Sequence, residues 1–186
     1  MGKNKQNTFR QLKEKVANKL SGWKEKFLST VGTEILIKAV VQAIPTHAMS
    51  CFLLPKSLCV DLNSMVSKFW WGQKNDECKM AWMKWDKLCT PKAYSGMGFK
   101  DLRAFNLALL AKQGWRLQQK SISPFYHVFK SKYFPDTSFV NAQKGRNPSY
   151  VWQSILVAQP IIRQGMRWQV GNGQSICVWK DKWLLT

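Results

Sequence analysis

Acidic residues are scarce in this chain, with ten Asp and Glu among 186 residues. Catalysis on two metal ions needs carboxylates held close together, because they neutralise and space the Mg²⁺ ions. Here the ten are scattered, and the one adjacent pair, Asp76-Glu77, sits in the polar run GQKNDECK, which reads as a solvated turn. Histidine is scarcer still. His47 lies in an apolar setting after Pro45 and His127 on an amphipathic stretch, so both read as packing residues rather than bases, and no GxSxG elbow accompanies them. The five cysteines are odd in number and form no CxxC pair; Cys78 and Cys89 stand eleven apart without a second ligand pair. That excludes a disulfide scaffold and gives no zinc framework. GNG and SGMG are rich in glycine but lack the strand–loop–helix setting and the Lys-Ser/Thr of a phosphate cradle. Long apolar runs are missing too. The longest, Ile35 to Ile44, contains Lys38 and Gln42, and no signal stretch follows MGKNKQNTFRQLKEK. These absences set the expectations: no catalytic residue, no metal, no cofactor and no membrane partner. They also place the protein inside the cell, in nucleus or cytoplasm, rather than among secreted proteins.

What is present is positive charge. Twenty-nine Lys and Arg leave a net charge of +19 and a pI near 10. Such an excess repels itself in the compact state and attracts polyanions, with RNA or DNA ahead of an anionic membrane. Apolar residues make up 45% of the chain, enough for a sizeable core. Aromatics, at 13%, are interleaved with cations in FWWGQKNDECKMAWMKWDK, FYHVFKSKYF and VWKDKW. Aromatic faces can stack on unpaired bases while Lys and Arg track phosphates; for any single tryptophan, core packing is the commoner use.

Periodicity predicts a mainly α fold with an α+β element, a helical bundle-like body and a C-terminal β-hairpin. Phe9, Leu12, Val16, Leu20, Trp23 and Phe27 recur at steps of three and four along a first, basic helix. The first 30 residues hold eight cations and two carboxylates. A second helix starts near Thr30 and runs through EILIKAVVQAI to Pro45; apolar on nearly all sides, it is expected at the centre. A third starts at Ser57, with Leu58, Leu62, Met65, Val66 and Phe69 inward and Gly72 just past its end. Between Asp76 and Gly98 the pattern breaks into a short strand or irregular pieces. Helices resume over Leu102 to Gln119, after Ser123-Pro124, and after Ser149 with Trp152, Ile155 and Leu156 inward. Last comes WQVGNGQSICVW. Trp168 and Val170, then Ile176 and Val178, flank Gly171-Asn172-Gly173, a strong local hairpin signal. Two regions follow: 1–75, basic helices, and 76–186, helices ending in the hairpin, sharing one core.

The segments LSGWKEKFLSTVGTEILIKAVVQAIPTHAMSCFLLPK, FWWG, MAWMKWDKLCTPKAYSGMGFKDLRAFNLALLAKQGWRL, KSKYFPDTSF, PSYVWQSIL and WQVGNGQSICVWKDKWL occur in one order. Over residues 12–186 this closely resembles the region downstream of the polymerase core in plant non-LTR (LINE-type) retrotransposon reverse transcriptases. Such regions also occur as stand-alone "putative ribonuclease H protein" or reverse transcriptase-related reading frames. The resemblance implies a parent polyprotein with an endonuclease, a palm carrying an Asp-Asp metal pair, this helical region, then a zinc segment that would start beyond Trp183-Leu184, sometimes with a ribonuclease H domain. No Asp-Asp pair exists here, so no catalytic residue carries over. Two departures stand out. Thr33 replaces the Arg usual after Gly32, weakening one possible phosphate contact, and Ser95-Gly96-Met97-Gly98 replaces a Gly-Gly-Leu-Gly turn, a change expected to stiffen it.

The resemblance implies a thumb or connection region that helps hold template RNA and the primer duplex. Charge independently gives the same class: basic, aromatic and non-catalytic. The expected function is therefore a non-enzymatic, RNA- or DNA-binding fragment; the alternative is a decayed retroelement remnant with no molecular role. Lys13, Lys15, Lys19, Lys24 and Lys26 in the first helix region, with Lys112, Arg116, Lys130 and Lys132, are the candidates for neutralising backbone phosphates, contacts that position without reading sequence.

Overall fold

Three serines start three helices in the same way. Ser29 Oγ accepts from Gly32 N–H at 3.1 Å, Ser123 Oγ from Tyr126 N–H at 3.3 Å, and Ser149 Oγ from Trp152 N–H at 3.2 Å. Each satisfies an N–H that no helical carbonyl can reach, an interaction whose loss typically costs about 1 kcal/mol. Asp101 Oδ1 does the same for Arg103 and Ala104, at 2.8 and 3.3 Å. The computed structural model describes residues 2–24, 28–72, 80–119, 122–167 and 174. In chain order the helices are α1 (Gly2–Lys24), α2 (Thr30–Leu36), α3 (Thr46–Cys51), α4 (Lys56–Trp70), α5 (Trp85–Leu88), α6 (Leu102–Gln118), α7 (Pro124–Tyr133), α8 (Tyr150–Val157) and α9 (Gln159–Gly165). A π turn, Ile37–Val41, continues α2, and single 3₁₀ turns lie at Lys92–Tyr94 and Phe139–Asn141.

The expected mainly α class is met, and no strand occurs among the described residues. The hairpin around Gly171-Asn172-Gly173 lies outside them. The chain forms two compact units, residues 1–109 and 110–186, dividing within α6, whereas the sequence pattern put a boundary at 75/76. No helix among the described residues is long and apolar enough to cross a membrane.

In the first unit, α1 packs on α4 and on the π turn. Leu12, Val16 and Leu20 form its buried ridge, meeting a core that includes Leu58, Leu62 and Val66 of α4 and Ile37 and Val41 of the π turn. Burying each such side chain contributes roughly 1.5–3 kcal/mol. Gly72, at φ 65°, turns the chain out after α4 as expected of a glycine just past a helix. The helix expected at the centre is central only in its second half. Ile37 and Val41 are buried, but Val31 and Ile35 of α2 stand 66% and 58% exposed, because helical rotation carries them off the face that meets α1. The helix also ends earlier than Pro45: Gln42 N–H closes the π turn on Ile37 O at 3.0 Å, and Pro45 instead heads α3.

The Asp76–Gly98 region, where described, is α5, the Lys92–Tyr94 turn and irregular backbone rather than a strand. Its shape hangs on Gly96 and Gly98. A Cβ on Gly96 would fall 2.0 Å from Thr90 O, and Gly98, at φ +68°, donates its N–H to that same oxygen at 2.9 Å.

The second unit is organised around Trp152, which is fully buried. Tyr133 and Phe134 stack on it at 4.7 and 5.6 Å between centroids, and Phe139 meets it edge-on at 5.9 Å. Such pairs add about 0.5–1.5 kcal/mol each beyond area burial. Gln159 Nε2 donates to Phe139 O and Ala142 O at 2.8 and 2.9 Å, and Arg163 Nε to Val140 O at 2.8 Å, tying α9 to the 3₁₀ turn.

Candidate nucleic-acid interface

The buried ridge of α1 leaves its flanks to solvent, and the two flanks differ. Lys13 Nζ reaches Asp61 Oδ2 of α4 at 2.7 Å, so one candidate spends its charge inside the protein. Both partners are about half exposed, and such a pair contributes about 0–1 kcal/mol. Lys15 and Lys19 lie one helical turn apart on the opposite flank, exposed, and make no ion pair among the described residues. Lys24 closes α1, while Lys26 lies outside the described residues.

In the second unit Lys112 and Arg116 occupy successive turns of α6, both exposed. Arg116 donates to Gln113 Oε1 at 3.2 Å and lies over the Phe125 ring, 5.5 Å from its centroid. The two α7 candidates diverge. Lys130 donates to Thr137 O at 2.7 Å and sits over Phe134, whereas Lys132 is exposed beside the Tyr133 ring. The nine candidates therefore include two exposed pairs, Lys15/Lys19 and Lys112/Arg116, and two lysines, Lys13 and Lys130, already engaged.

Position along the sequence did not reveal a further cationic group. Glu34 accepts from Lys38 Nζ and Lys92 Nζ, each at 2.7 Å. The hydrogen bond from Lys38, then that from Lys92, holds its carboxyl below the ordinary value of 4.5. The i,i+4 spacing of Glu34 and Lys38 was readable; Lys92, 58 positions away in sequence, was not.

Burial sorts the tryptophans. Trp152 is core; Trp23, Trp70, Trp71 and Trp85 are half-buried; Trp82 and Trp115 are 81% and 41% exposed. Tyr94 is 78% exposed, two residues from Lys92. Trp82 and Tyr94 are exposed and stand two residues from Lys84 and Lys92 in sequence, while the Trp85 ring is stacked on Phe99 at 5.1 Å. Both histidines read as packing residues are instead exposed, since each falls on the outer side of a short helix. Among the described residues no three His, Cys, Asp or Glu side chains gather to hold a metal ion; Asp76-Glu77 lies outside them.

The chain is 39% identical over 144 residues to the Arabidopsis thaliana protein named "Uncharacterized mitochondrial protein AtMg00310", an alignment covering 77% of this chain and 94% of that one. It belongs to the same family as that protein. It is also 36% identical over 182 residues to the Arabidopsis "Putative ribonuclease H protein At1g65750", covering 95% of this chain. The chain spans 29% of that longer relative. No family model and no solved structure matches.

Proposed function

We propose that this chain is a non-catalytic segment of a LINE-type retrotransposon reverse transcriptase, a thumb or connection region that holds template RNA or the RNA/DNA duplex by its phosphates. The observation that carries this is the flank of α1 where Lys15 and Lys19 stand exposed, without carboxylate partners among the described residues, on a chain of net charge +19. Lys112 and Arg116 repeat the arrangement on α6. The ordered motifs of the sequence support the retroelement origin. So does similarity to a longer relative whose name places it among ribonuclease H proteins.

A salt titration of binding to a single-stranded RNA tests the proposal. Log affinity should fall linearly with log salt, by about 0.7 for each neutralised phosphate, or about 0.9 on duplex DNA. A Lys15→Ala/Lys19→Ala chain should lose the part of that slope due to two contacts. A flat salt response would overturn the role. Primer extension by the isolated chain should yield no product.

A further inference from the structure

Between the Phe139–Asn141 turn and α8 the chain runs through Ala142-Gln143-Lys144-Gly145-Arg146-Asn147-Pro148-Ser149, and both ends of this stretch are tied down. On the incoming side Ala142 is buried, and its carbonyl accepts from Gln159 Nε2 at 2.9 Å. On the outgoing side Pro148 O accepts from Gln153 Nε2 at 3.0 Å, and Ser149 donates its N–H to the Tyr133 hydroxyl at 3.2 Å. The Tyr133 ring is itself stacked on the buried Trp152, so this end is fixed to the core of the second unit. The five residues between the stems, 143–147, are all exposed.

Three properties of this loop point to an anion. The backbone N–H groups from Gln143 to Asn147 make no hydrogen bond among the described residues. Gly145 is left-handed, at φ +72°, and nothing lies within 4 Å of the place its Cβ would take. Backbone conformation, not packing, therefore calls for glycine here. Successive N–H groups in turns that include a left-handed residue form concavities suited to anions. Third, Lys144 and Arg146 flank the glycine and form no ion pair among the described residues. Residues 110–186 hold eleven Lys and Arg against two Asp, so an incoming anion meets little competition from the unit's own carboxylates. Lys132 lies 5.4 Å from the centre of the Tyr133 ring, which puts one candidate lysine near the outgoing stem. Arg, Lys and backbone N–H groups together are the donors that proteins use on nucleic-acid phosphates.

We infer that residues 143–147 form a preset grip on a backbone phosphate of a bound RNA strand, with the N–H groups around Gly145 and the Lys144 and Arg146 side chains as donors. The inference rests on the nucleic-acid role proposed above and adds a contact made by main-chain shape as well as by charge. With both stems fixed beforehand, little ordering is left to be done on binding.

Anisotropy titrations of the whole chain with a labelled uridine oligomer test it through three variants. Lys144→Gln/Arg146→Gln should weaken binding about tenfold at low salt and lower the log–log salt slope by about 0.7 for each phosphate released. Gly145→Ala keeps the charge but disfavours the left-handed turn, and should weaken binding about threefold or more with helix content unchanged by circular dichroism. Gly145→Asn tolerates that backbone and should bind as the parent chain does. Parental affinity in the first two variants overturns the inference. So does weakening in the charge variant alone, which would reduce the loop to diffuse charge. Nuclear magnetic resonance with inorganic phosphate separates this site from the broader role. The Gly145 and Arg146 amide signals should shift as phosphate is added, and shift less in the double variant; no shift overturns the site. Shifts without RNA binding would remove the strand-holding role and leave the anion site. RNA binding that depends on Lys15 and Lys19 but not on the loop would remove the site alone.

Discussion

Leu54 donates its backbone N–H to the side-chain oxygen of Asn106 across 2.9 Å, although the two residues are 52 positions apart. The amide of the same side chain donates to Met49 O at 2.7 Å and Phe52 O at 2.9 Å. Asn106 is 1% exposed, so a single buried side chain satisfies three backbone groups where the chain leaves α3 and runs extended toward α4. Asn106→Leu keeps the branching and heavy-atom count of the side chain and removes this partner from all three. A buried donor or acceptor left unpaired costs about 1–3 kcal/mol, and the variant should lose about 3 kcal/mol or more in urea unfolding. A loss under about 1 kcal/mol would contradict this account. A single cooperative transition in the parent chain would also argue against a remnant that does not fold.

Gly114 faces a different constraint. A Cβ there would sit 2.7 Å from Ile162 Cδ1 and 2.8 Å from the Phe139 ring. Alanine favours a helix over glycine by about 1 kcal/mol, but overpacking a buried contact costs about 1–3 kcal/mol. Phe139 is fully buried and has little room to yield. Gly114→Ala should therefore lower the melting temperature, and a rise would show that the ring moves freely.

Ser95 occupies left-handed backbone at φ 62°. A residue with a Cβ is strained there by about 1–2 kcal/mol, partly offset by glycine's larger entropy loss on folding. Ser95→Gly should stabilise the chain by about 0.5–1 kcal/mol on thermal unfolding. Unchanged or reduced stability would show that the serine side chain holds the turn.

The Cys89 thiol is pushed up from 9.0 to about 11, first by burial and then by Asp101 and Asp86. Between those values the folded chain keeps a proton that the unfolded chain has released, so stability falls as pH rises from about 9 to about 11. Below pH 9 both states are protonated and the group contributes nothing. Each tenfold difference in proton affinity corresponds to about 1.4 kcal/mol, and the rise from 9.0 to about 11 spans about two of these, which solvent screening of this half-buried thiol reduces. Unfolding at about pH 8 and at about pH 10.5 should show a loss in the parent chain that Cys89→Ala reduces. Identical pH profiles for the two would contradict the raised thiol pKa.

Three buried polar atoms without partners among the described residues, Gln42 Oε1, Asn63 Oδ1 and Trp85 Nε1, belong to residues lining one cavity of about 10 Å³ in the first unit. One donor and two acceptors are what a single water satisfies, and that volume is about the least that holds one. A high-resolution crystal structure should show one ordered water within hydrogen-bond distance of the three. A dry cavity, with the amides turned to other partners, would count against it.

Much of the helical framework was readable along the chain. Leu12, Val16 and Leu20 of the first ridge and Leu58, Leu62, Val66 and Phe69 of the later inward set follow the helical repeat and are buried, while Phe9, Trp23 and Met65 of the same sets are half-buried and Phe27 lies outside the described residues. Ser123 and Ser149 announce their helices because a cap is a contact between residues three apart. Periodicity misled at α2, where Val31 and Ile35 continue an apolar run yet face solvent. A repeat tells which residues share a side, but not whether another helix lies against it. The same limit applied to the candidate interface: exposure could be guessed for Lys15 and Lys19, but not that Lys13 would be tied to Asp61.

Composition alone determined the sign of the net charge, because that charge is a sum over residues and is indifferent to folding. Local spacing determined where most helices begin and which residues they turn inward. Only the folded chain decided that Asn106 would hold Leu54 and that Glu34 would sit between Lys38 and Lys92. Each joins groups from separate segments, and their meeting depends on how whole elements pack rather than on the residues beside them.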